Sequence, residues 1–548
     1  MTKQKERWGS RVGLVLAMAG NAVGLGNFLR FPAQAVQNGG GAFIIPYLVS
    51  FLLMGIPLLW IEWAIGRHGG KYGHHSTPGM MEVMGKGWWW KYVGVFGVFT
   101  NLTVAAYYCY LESWTLAYVW HSVSGTFNGA TAAQVADFFN YYVGVVGAGF
   151  FNFPPEALFF FIVTLSLNVW ILSRGLSKGV EVASKIGMPL LILFGIFLAV
   201  RALTLNAGEQ GAVNDAVLGL NFLWEPQFDS LANPKVWLAA AGQIFFTLSV
   251  GMGSIHCYAA YVRENDDIAL NAASAGWMNE FVEVLLGGSI IVPIGVAYLG
   301  LDWIKDNVGL AMGFRTMPTL FQNWGPMLAA LAGVAWFGLL FFAGITSSLA
   351  MGQPVMAFLQ DEYRMERKRS ALVFGLVILL LGLWTVFFYG YGAFGEFDDW
   401  SGTFSLVAFA LLESIVFAWV FGMERGWQEI TRGADIKIPV FFKYVMKYVT
   451  PLFLLAVFLG SFISPRGGEW TKAFRMLFQG QGWPLDPGNV VGKILHLGFE
   501  DTRWFVDGEP TRVFIVDATR ILLLLTFVGI ALAIRTAWKR REQSVEQE

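Results

Sequence analysis

Long apolar runs recur along this chain, each with enough residues to cross the hydrocarbon core of a bilayer, which takes about 20 in a helix. Twelve spans are predicted, at 11–36, 41–66, 90–122, 157–174, 180–203, 236–262, 270–299, 327–360, 370–389, 400–424, 442–464 and 513–537. Inside a bilayer no water serves unpaired N–H and C=O groups, so a spanning segment pairs them internally as helix. Composition favours a polytopic membrane protein over soluble domains: 14% of residues are charged, where soluble domains carry about 25%. The 64 glycines suit closely packed membrane helices, and the 23 tryptophans suit interfacial belts. A net charge of −1 gives no basic surface for nucleic acid.

Positive charge alternates between loops. Lys3, Lys5, Arg7 and Arg11 precede span 1; Arg67, Lys71 and Lys86 follow span 2; Arg364, Arg367, Lys368 and Arg369 follow span 8. Arg425, Arg432 and Lys437 follow span 10, and Arg535, Lys539, Arg540 and Arg541 close span 12, whereas residues 125–155 hold no Lys or Arg. The positive-inside rule then puts both termini in the cytoplasm, in a plasma (inner) membrane. Residues 465–512 carry basic groups on the expected outside, but long loops obey that rule poorly. The apolar stretch after the charged N-terminus is too long and too interrupted for a cleavable signal.

Two phrases break the apolar pattern. Val23-Gly24-Leu25-Gly26-Asn27 lies in span 1 and Val250-Gly251-Met252-Gly253-Ser254 in span 6. Each glycine costs about 1 kcal/mol in a helix interior, so paired glycines invite the helix to open. Opening a helix in lipid exposes groups that cost several kcal/mol unless they line a site. Paired interruptions in corresponding spans of two halves mark the central site of a secondary transporter. Spans 1–5 (11–203) and 6–10 (236–424) then form halves of opposite orientation, with spans 11 and 12 outside the repeat. The expected fold is a single all-α membrane domain over 1–548, twelve transmembrane helices in a 5+5 inverted repeat with helices 1 and 6 broken.

An opened helix offers amides to a carboxylate and carbonyls to a cation. Sodium, a hard cation, takes neutral oxygens. Polar residues suited to this gather around the breaks: Asn21 and Asn27 beside the first, Thr247 and Ser249 beside the second, Asn279 in span 7, and Thr346 and Ser347 in span 8 with Ala343 on the same face.

The segments AMAGNAVGLGNFLRFPAQAVQNGGGAF (17–43), GQIFFTLSVGMGS (242–254) and FFAGITSSLAMGQP (341–354) resemble spans 1, 6 and 8 of the neurotransmitter:sodium symporter family, most nearly its bacterial leucine-transporting branch. The resemblance runs over nearly the whole chain. It implies two sodium sites. The first uses the Ala22 carbonyl, Asn27, Thr247, Asn279 and the substrate carboxylate; the second uses the carbonyls of Gly20, Val23 and Ala343 with the hydroxyls of Thr346 and Ser347. The substrate carboxylate meets the Leu25 and Gly26 amides and the Tyr108 hydroxyl, and its amine meets Ala22, Phe246, Thr247 and Ser249, with Asn21 alongside. Val104, Tyr108, Phe246, Ser249, Met252, Ser347 and Met351 form the side-chain pocket. Met252 and Met351 depart from that branch and favour a broader range of apolar side chains, leucine- or methionine-like with aromatic ones within reach. Gly24 stands where amine-transporting relatives have Asp, which disfavours monoamines.

The resemblance also implies an outer gate of Arg30 and Asp398, directly or through water, above a lid of Tyr108 and Phe246. It implies an inner latch of position 5 with Asp361, and Tyr261 nearby. Lys5 stands where that branch has Arg, which weakens the latch. Glu62, Glu112, Glu280, Glu283 and Glu413 lie inside apolar spans, where acids are costly and default to functional or network roles. Glu112 suits a structural network, and by resemblance Glu62 and Glu413 brace the opened part of span 6. Chloride-dependent relatives carry a neutral residue where Glu283 stands, so transport is expected to be chloride-independent, with Glu283 a carrier of charge or of a returning proton.

The reading is thus a sodium-coupled symporter importing a neutral apolar amino acid by alternating access. Its alternative is a non-transporting membrane amino-acid sensor. The spans show no GxSxG, HExxH or phosphate loop, so an enzyme is not expected. Cys109 and Cys257 read as small buried residues, and His74 and His75 as a solvated loop pair. Membrane lipid is an expected partner, and a homodimer is left open. The amphipathic pieces 470–478 and 490–499 lie along the outer surface or cap the bundle.

Overall fold

The computed structural model describes residues 6–145, 154–506 and 508–546. The apolar runs fold as helices close to the expected bounds. Gly41–Lys71, Trp90–Ser124, Pro155–Ser173, Leu176–Leu203 and Ile268–Leu299 are spans 2, 3, 4, 5 and 7; Pro326–Tyr363, Arg367–Phe387, Ala393–Thr431, Phe441–Ile463 and Arg512–Gln543 are spans 8 to 12. These ten are long and apolar enough to cross a membrane, and the bent pair of span 1 makes up to eleven. Span 6 is absent from that count because its break leaves pieces of 14 and 6 residues.

Span 1 breaks where the glycine phrase predicts. Helix Arg11–Ala22 stops, helix Gly26–Gln37 starts, and the axes differ by 48°. In span 6, Pro234–Thr247 ends before a turn over 248–253, and Ser254–Ala259 resumes. Gly251 and Gly253 take positive φ (+77° and +90°), as does Ser249 at +53°. A Cβ on Gly251 would stand 2.4 Å from the Leu406 carbonyl oxygen, so the turn needs glycine for space as well as for φ.

Span 3 forms the centre of the bundle and spans 11 and 12 its periphery: their most apolar windows are 89%, 22% and 28% buried. Span 8 packs along span 3, and span 1 touches spans 5, 7 and 8. Gly344 of span 8 permits the close approach, since a Cβ there would stand 3.0 Å from Glu112 Cγ. Exposed Leu372, Leu376 and Leu380 in span 9, and Ile521, Leu524, Leu525, Val528 and Leu532 in span 12, form apolar stripes at helical spacing. Such stripes suit lipid contact. Cys109 and Cys257 are buried and free, as expected.

Residues 465–512 fold over one end of the bundle. They carry short helices Trp470–Phe478 and Val490–Ile494 and a two-stranded pair in which Phe505 faces Pro510 and Val506 faces Glu509. The second piece caps the bundle: the Lys493 ammonium pairs with Asp399 of span 10, and Arg520 Nη1 of span 12 donates to the Lys493 carbonyl at 2.9 Å.

Candidate functional site

The two breaks meet. Ser249 Oγ donates to the Asn21 carbonyl at 3.0 Å and Ser254 Oγ to Asn21 Oδ1 at 3.1 Å, so Asn21 joins one break to the other. Asn27 closes its own break by accepting the Gly24 amide at 2.8 Å. Span 3 supplies Tyr108, whose hydroxyl accepts the Leu25 amide at 3.1 Å. A Cβ on Gly24 would stand 2.7 Å from the Tyr108 hydroxyl, and one on Gly26 2.5 Å from Phe246 Cε1. Both glycines are therefore required by the neighbours they admit.

Around the junction, Ala22, Gly24, Gly26, Asn27, Val104, Tyr108, Phe246, Thr247, Ser249, Met252, Ser347 and Met351 enclose a cavity of ≈ 30 Å³, together with Tyr107, Gly402 and Leu406. That volume is about one water, so an amino acid enters only as lining side chains swing aside. Met252 and Met351 are unbranched and suited to that. Among the residues expected to bind substrate, Asn21 and Leu25 stand behind this lining and contribute through the contacts above.

Two clusters of oxygens flank the cavity. In the first, Ser347 Oγ lies 3.1 Å from the Gly20 carbonyl oxygen and 3.3 Å from that of Val23, and Thr346 Oγ1 lies 3.3 Å from that of Ala343. Gly20 lets span 1 close on Thr346, whose Cβ would be 2.8 Å from an added methyl. Oxygens about 3.3 Å apart are the spacing that a cation coordinated at roughly 2.4 Å requires. In the second, Asn27 Nδ2 donates to Asn279 Oδ1 at 2.8 Å and Asn279 Nδ2 to Thr247 Oγ1 at 3.0 Å. Glu283 completes it: it accepts from Gln243 Nε2 at 2.5 Å, from Asn279 Nδ2 at 3.2 Å, and from the Thr247 hydroxyl. Span 7 widens into π-helical turns over Phe281–Gly287, which presents Glu283 to this cluster. Gln243 was not singled out in the sequence, although its place four residues before Thr247 on one helix face is a readable signal.

The expected gates are arranged differently from simple pairs. Arg30 and Asp398 form no direct ion pair: Arg30 stacks its guanidinium 4.0 Å over the Phe246 ring, and Asp398 accepts the Tyr107 hydroxyl at 2.6 Å. Above Phe246 a second cavity of ≈ 220 Å³ is lined by Arg30, Asp399, Trp400, Val457 and Lys493 among others, so the 490–494 helix roofs it. At the other end Lys5 lies outside the described residues. Asp361 accepts the His75 amide at 2.7 Å and sits 3.2 Å from His75 Nδ1, and the His75 ring stacks on Tyr261 with centroids 4.5 Å apart. His75 is thus half-buried against Asp361 and Tyr261 rather than solvated, a correction the loop composition could not signal. His74 beside it is held below its ordinary proton affinity by burial and by the Arg541 guanidinium. The chain before span 1 is tied down as well: Glu6 pairs with Arg367 at 2.5 Å, and Trp8 Nε1 donates to the Tyr258 carbonyl at 3.1 Å.

The buried acids divide by role. Glu112 accepts Asn168 Nδ2 at 3.2 and 3.3 Å, which ties span 3 to span 4. Glu62 accepts the Gly251 amide at 2.6 Å, holding the turn of span 6. Glu413 lies against His256.

A family model described as the Sodium:neurotransmitter symporter family matches residues 5–135 and 124–492. An uncharacterized sodium-dependent transporter of Methanocaldococcus jannaschii is 32% identical over 471 residues, 83% of this chain and 90% of that protein. Sodium-dependent nutrient amino acid transporter 1 of Drosophila persimilis is 25% identical over 553 residues, 90% of this chain and 79% of that one. The crystal structure of MhsT in complex with L-phenylalanine superposes with a TM-score of 0.70 at 28% identity, covering 84% of this chain and 100% of that chain. The chain belongs to the Sodium:neurotransmitter symporter family, whose members are sodium-dependent transporters and not enzymes.

Proposed function

We propose that this protein is a sodium-coupled symporter that imports a neutral apolar amino acid by alternating access, independently of chloride, with both termini in the cytoplasm and the 5+5 repeat inverted across the membrane. The observation that carries the reading is the junction of the two breaks. The Tyr108 hydroxyl, bonded to the Leu25 amide behind it, and a set of neutral oxygens face one small cavity with apolar walls. A zwitterion fits that mixture. Its carboxylate replaces the mutual contact of Leu25 and Tyr108, and its amine meets Ala22, Phe246, Thr247 and Ser249. Asn27, Thr247 and Asn279 with the Ala22 carbonyl hold one sodium, and Gly20, Val23, Ala343, Thr346 and Ser347 hold another. Sodium beside the carboxylate in a low-dielectric site gives coupling a direct electrostatic cause. Glu283 supplies negative charge next to the first sodium, so no external anion is needed there.

MhsT binds L-phenylalanine and the Drosophila relative is named a nutrient amino acid transporter, which supports an amino-acid substrate here. Gly24 brings no anion for a monoamine. Uptake of labelled leucine, methionine and phenylalanine into proteoliposomes tests this. Sodium-driven accumulation of at least one, unchanged when gluconate replaces chloride, is expected. Saturable binding without accumulation would make the protein a sensor instead.

A further inference from the structure

Three side chains outside the oxygen clusters meet in the middle of the bundle. His256 Nδ1 lies 3.5 Å from Glu62 Oε2, and His256 Nε2 lies 3.3 Å from Glu413 Oε2; all three side chains are wholly buried. They come from spans 6, 2 and 10. Both ring nitrogens, Glu62 Oε2 and both Glu413 oxygens find no hydrogen-bond partner elsewhere among the described residues. His256 and Glu62 also hold the break of span 6, because His256 sits in the helix that resumes after it and Glu62 Oε1 binds the Gly251 amide at 2.6 Å.

A count of protons decides what this group can do. A neutral imidazole has one N–H and one bare nitrogen. Placed between two carboxylates, it satisfies one of them and turns its bare nitrogen to the other. The second contact becomes a hydrogen bond only if that carboxyl carries a proton, or if the ring itself is doubly protonated. Without the extra proton two buried anions face each other with no cationic side chain among the described residues paired to them, which costs several kcal/mol. The arrangement is complete with one added proton, and that proton has two near-equivalent places. A metal ion is the competing occupant, since one ligand atom from each of the three residues lies within 4.8 Å of the others; it would use one ring nitrogen and leave the second without a partner. The titratable groups facing His256 are Glu62 and Glu413, whose carboxyl groups also lie against each other, with the Phe409 ring packed 5.9 Å away.

We propose that Glu62, His256 and Glu413 form a proton-binding site of their own, linked to the break of span 6, whose proton affinity falls when sodium binds. This rests on the sodium-coupled reading above. Sodium and the proton both lower the cost of the buried negative charge, so each weakens the other, and by linkage the effect is reciprocal.

The test uses the full chain in nanodiscs with sodium alone as the probe, potassium holding ionic strength. The half-saturating sodium concentration is read from the unfolding midpoint. In the wild type it is expected to rise severalfold from about pH 8 to about pH 6, with a ceiling of about tenfold per pH unit for one proton. His256→Leu and Glu413→Gln are expected to flatten that dependence. An undiminished dependence in both would overturn the proposal and leave Glu283 as the proton carrier. Should neither variant fold, infrared difference spectra of the wild type with labelled histidine decide. Loss of a protonated carboxyl band together with a histidine ring change on sodium addition is expected, and absence of either overturns it. Stoichiometric zinc in the purified protein, lost in His256→Leu, would also overturn it. If sodium never moves the midpoint, the sodium-coupled reading fails on its own, and the proton site is judged by whether the same two bands titrate together with pH.

Discussion

At Gly26 a single hydrogen separates a workable site from a blocked one. An added methyl would sit 2.5 Å from Phe246 Cε1, and that ring is already pressed under Arg30 at 4.0 Å. Gly26→Ala is expected to displace the ring and weaken amino-acid binding by roughly tenfold or more, the scale of overpacking at about 1–3 kcal/mol; calorimetric titration measures it. Glu283 makes a second residue-level prediction. It accepts from Gln243, Thr247 and Asn279 in a buried cluster, so Glu283→Ser removes the carboxylate that Thr247 and Gln243 bond and leaves Glu280, which accepts from Tyr47 at 3.2 Å, as the remaining acid beside Asn279. Uptake by that variant is expected to become chloride-stimulated, whereas a variant indifferent to chloride would remove the charge argument. Asn27, Thr247, Asn279, Thr346 and Ser347 were legible in the sequence because a polar residue amid apolar ones has to find a partner. His256 and Tyr107 were not, because their partners, Glu413 and Asp398, lie far along the chain and only packing brings them near.

Among elements, the breaks in spans 1 and 6 followed from glycine spacing, since the backbone freedom that glycine gives is local, whereas the neighbours that need its space, Leu406 and Tyr108, are not. The surroundings of the gate residues were less legible. The stacking of Arg30 on Phe246 depends on how spans 1, 6 and 10 converge, and the contact of Asp361 with His75 depends on a loop. The 490–494 helix is the clearest case, because no periodicity announces that Lys493 reaches Asp399 above the Phe246 lid. The two side chains remain 23% and 37% exposed, so the pair adds little to stability. Lys493→Ala is expected to shift the unfolding midpoint by no more than about 2 °C, yet to speed dissociation of bound amino acid by loosening the roof. A stopped-flow chase reads that rate, and an unchanged rate would show that the segment does not gate the site.

Over the whole molecule, the plan was readable because lipid leaves a chain few choices: ten of the twelve expected spans are single helices within seven residues of their expected bounds, and the other two, spans 1 and 6, are the broken ones. Side-chain meetings across the bundle were beyond reach, since each depends on the relative rotation of helices that share no local sequence. On the function proposed above, two opened helices hold a zwitterion and sodium together, each stabilising the other. Equilibrium binding of leucine, methionine and phenylalanine to the purified full chain, in sodium and in potassium at equal ionic strength, measures that coupling. Saturable binding of at least one in sodium, weakened by more than about tenfold in potassium, is expected. Equal affinity in the two salts would rule the coupling out.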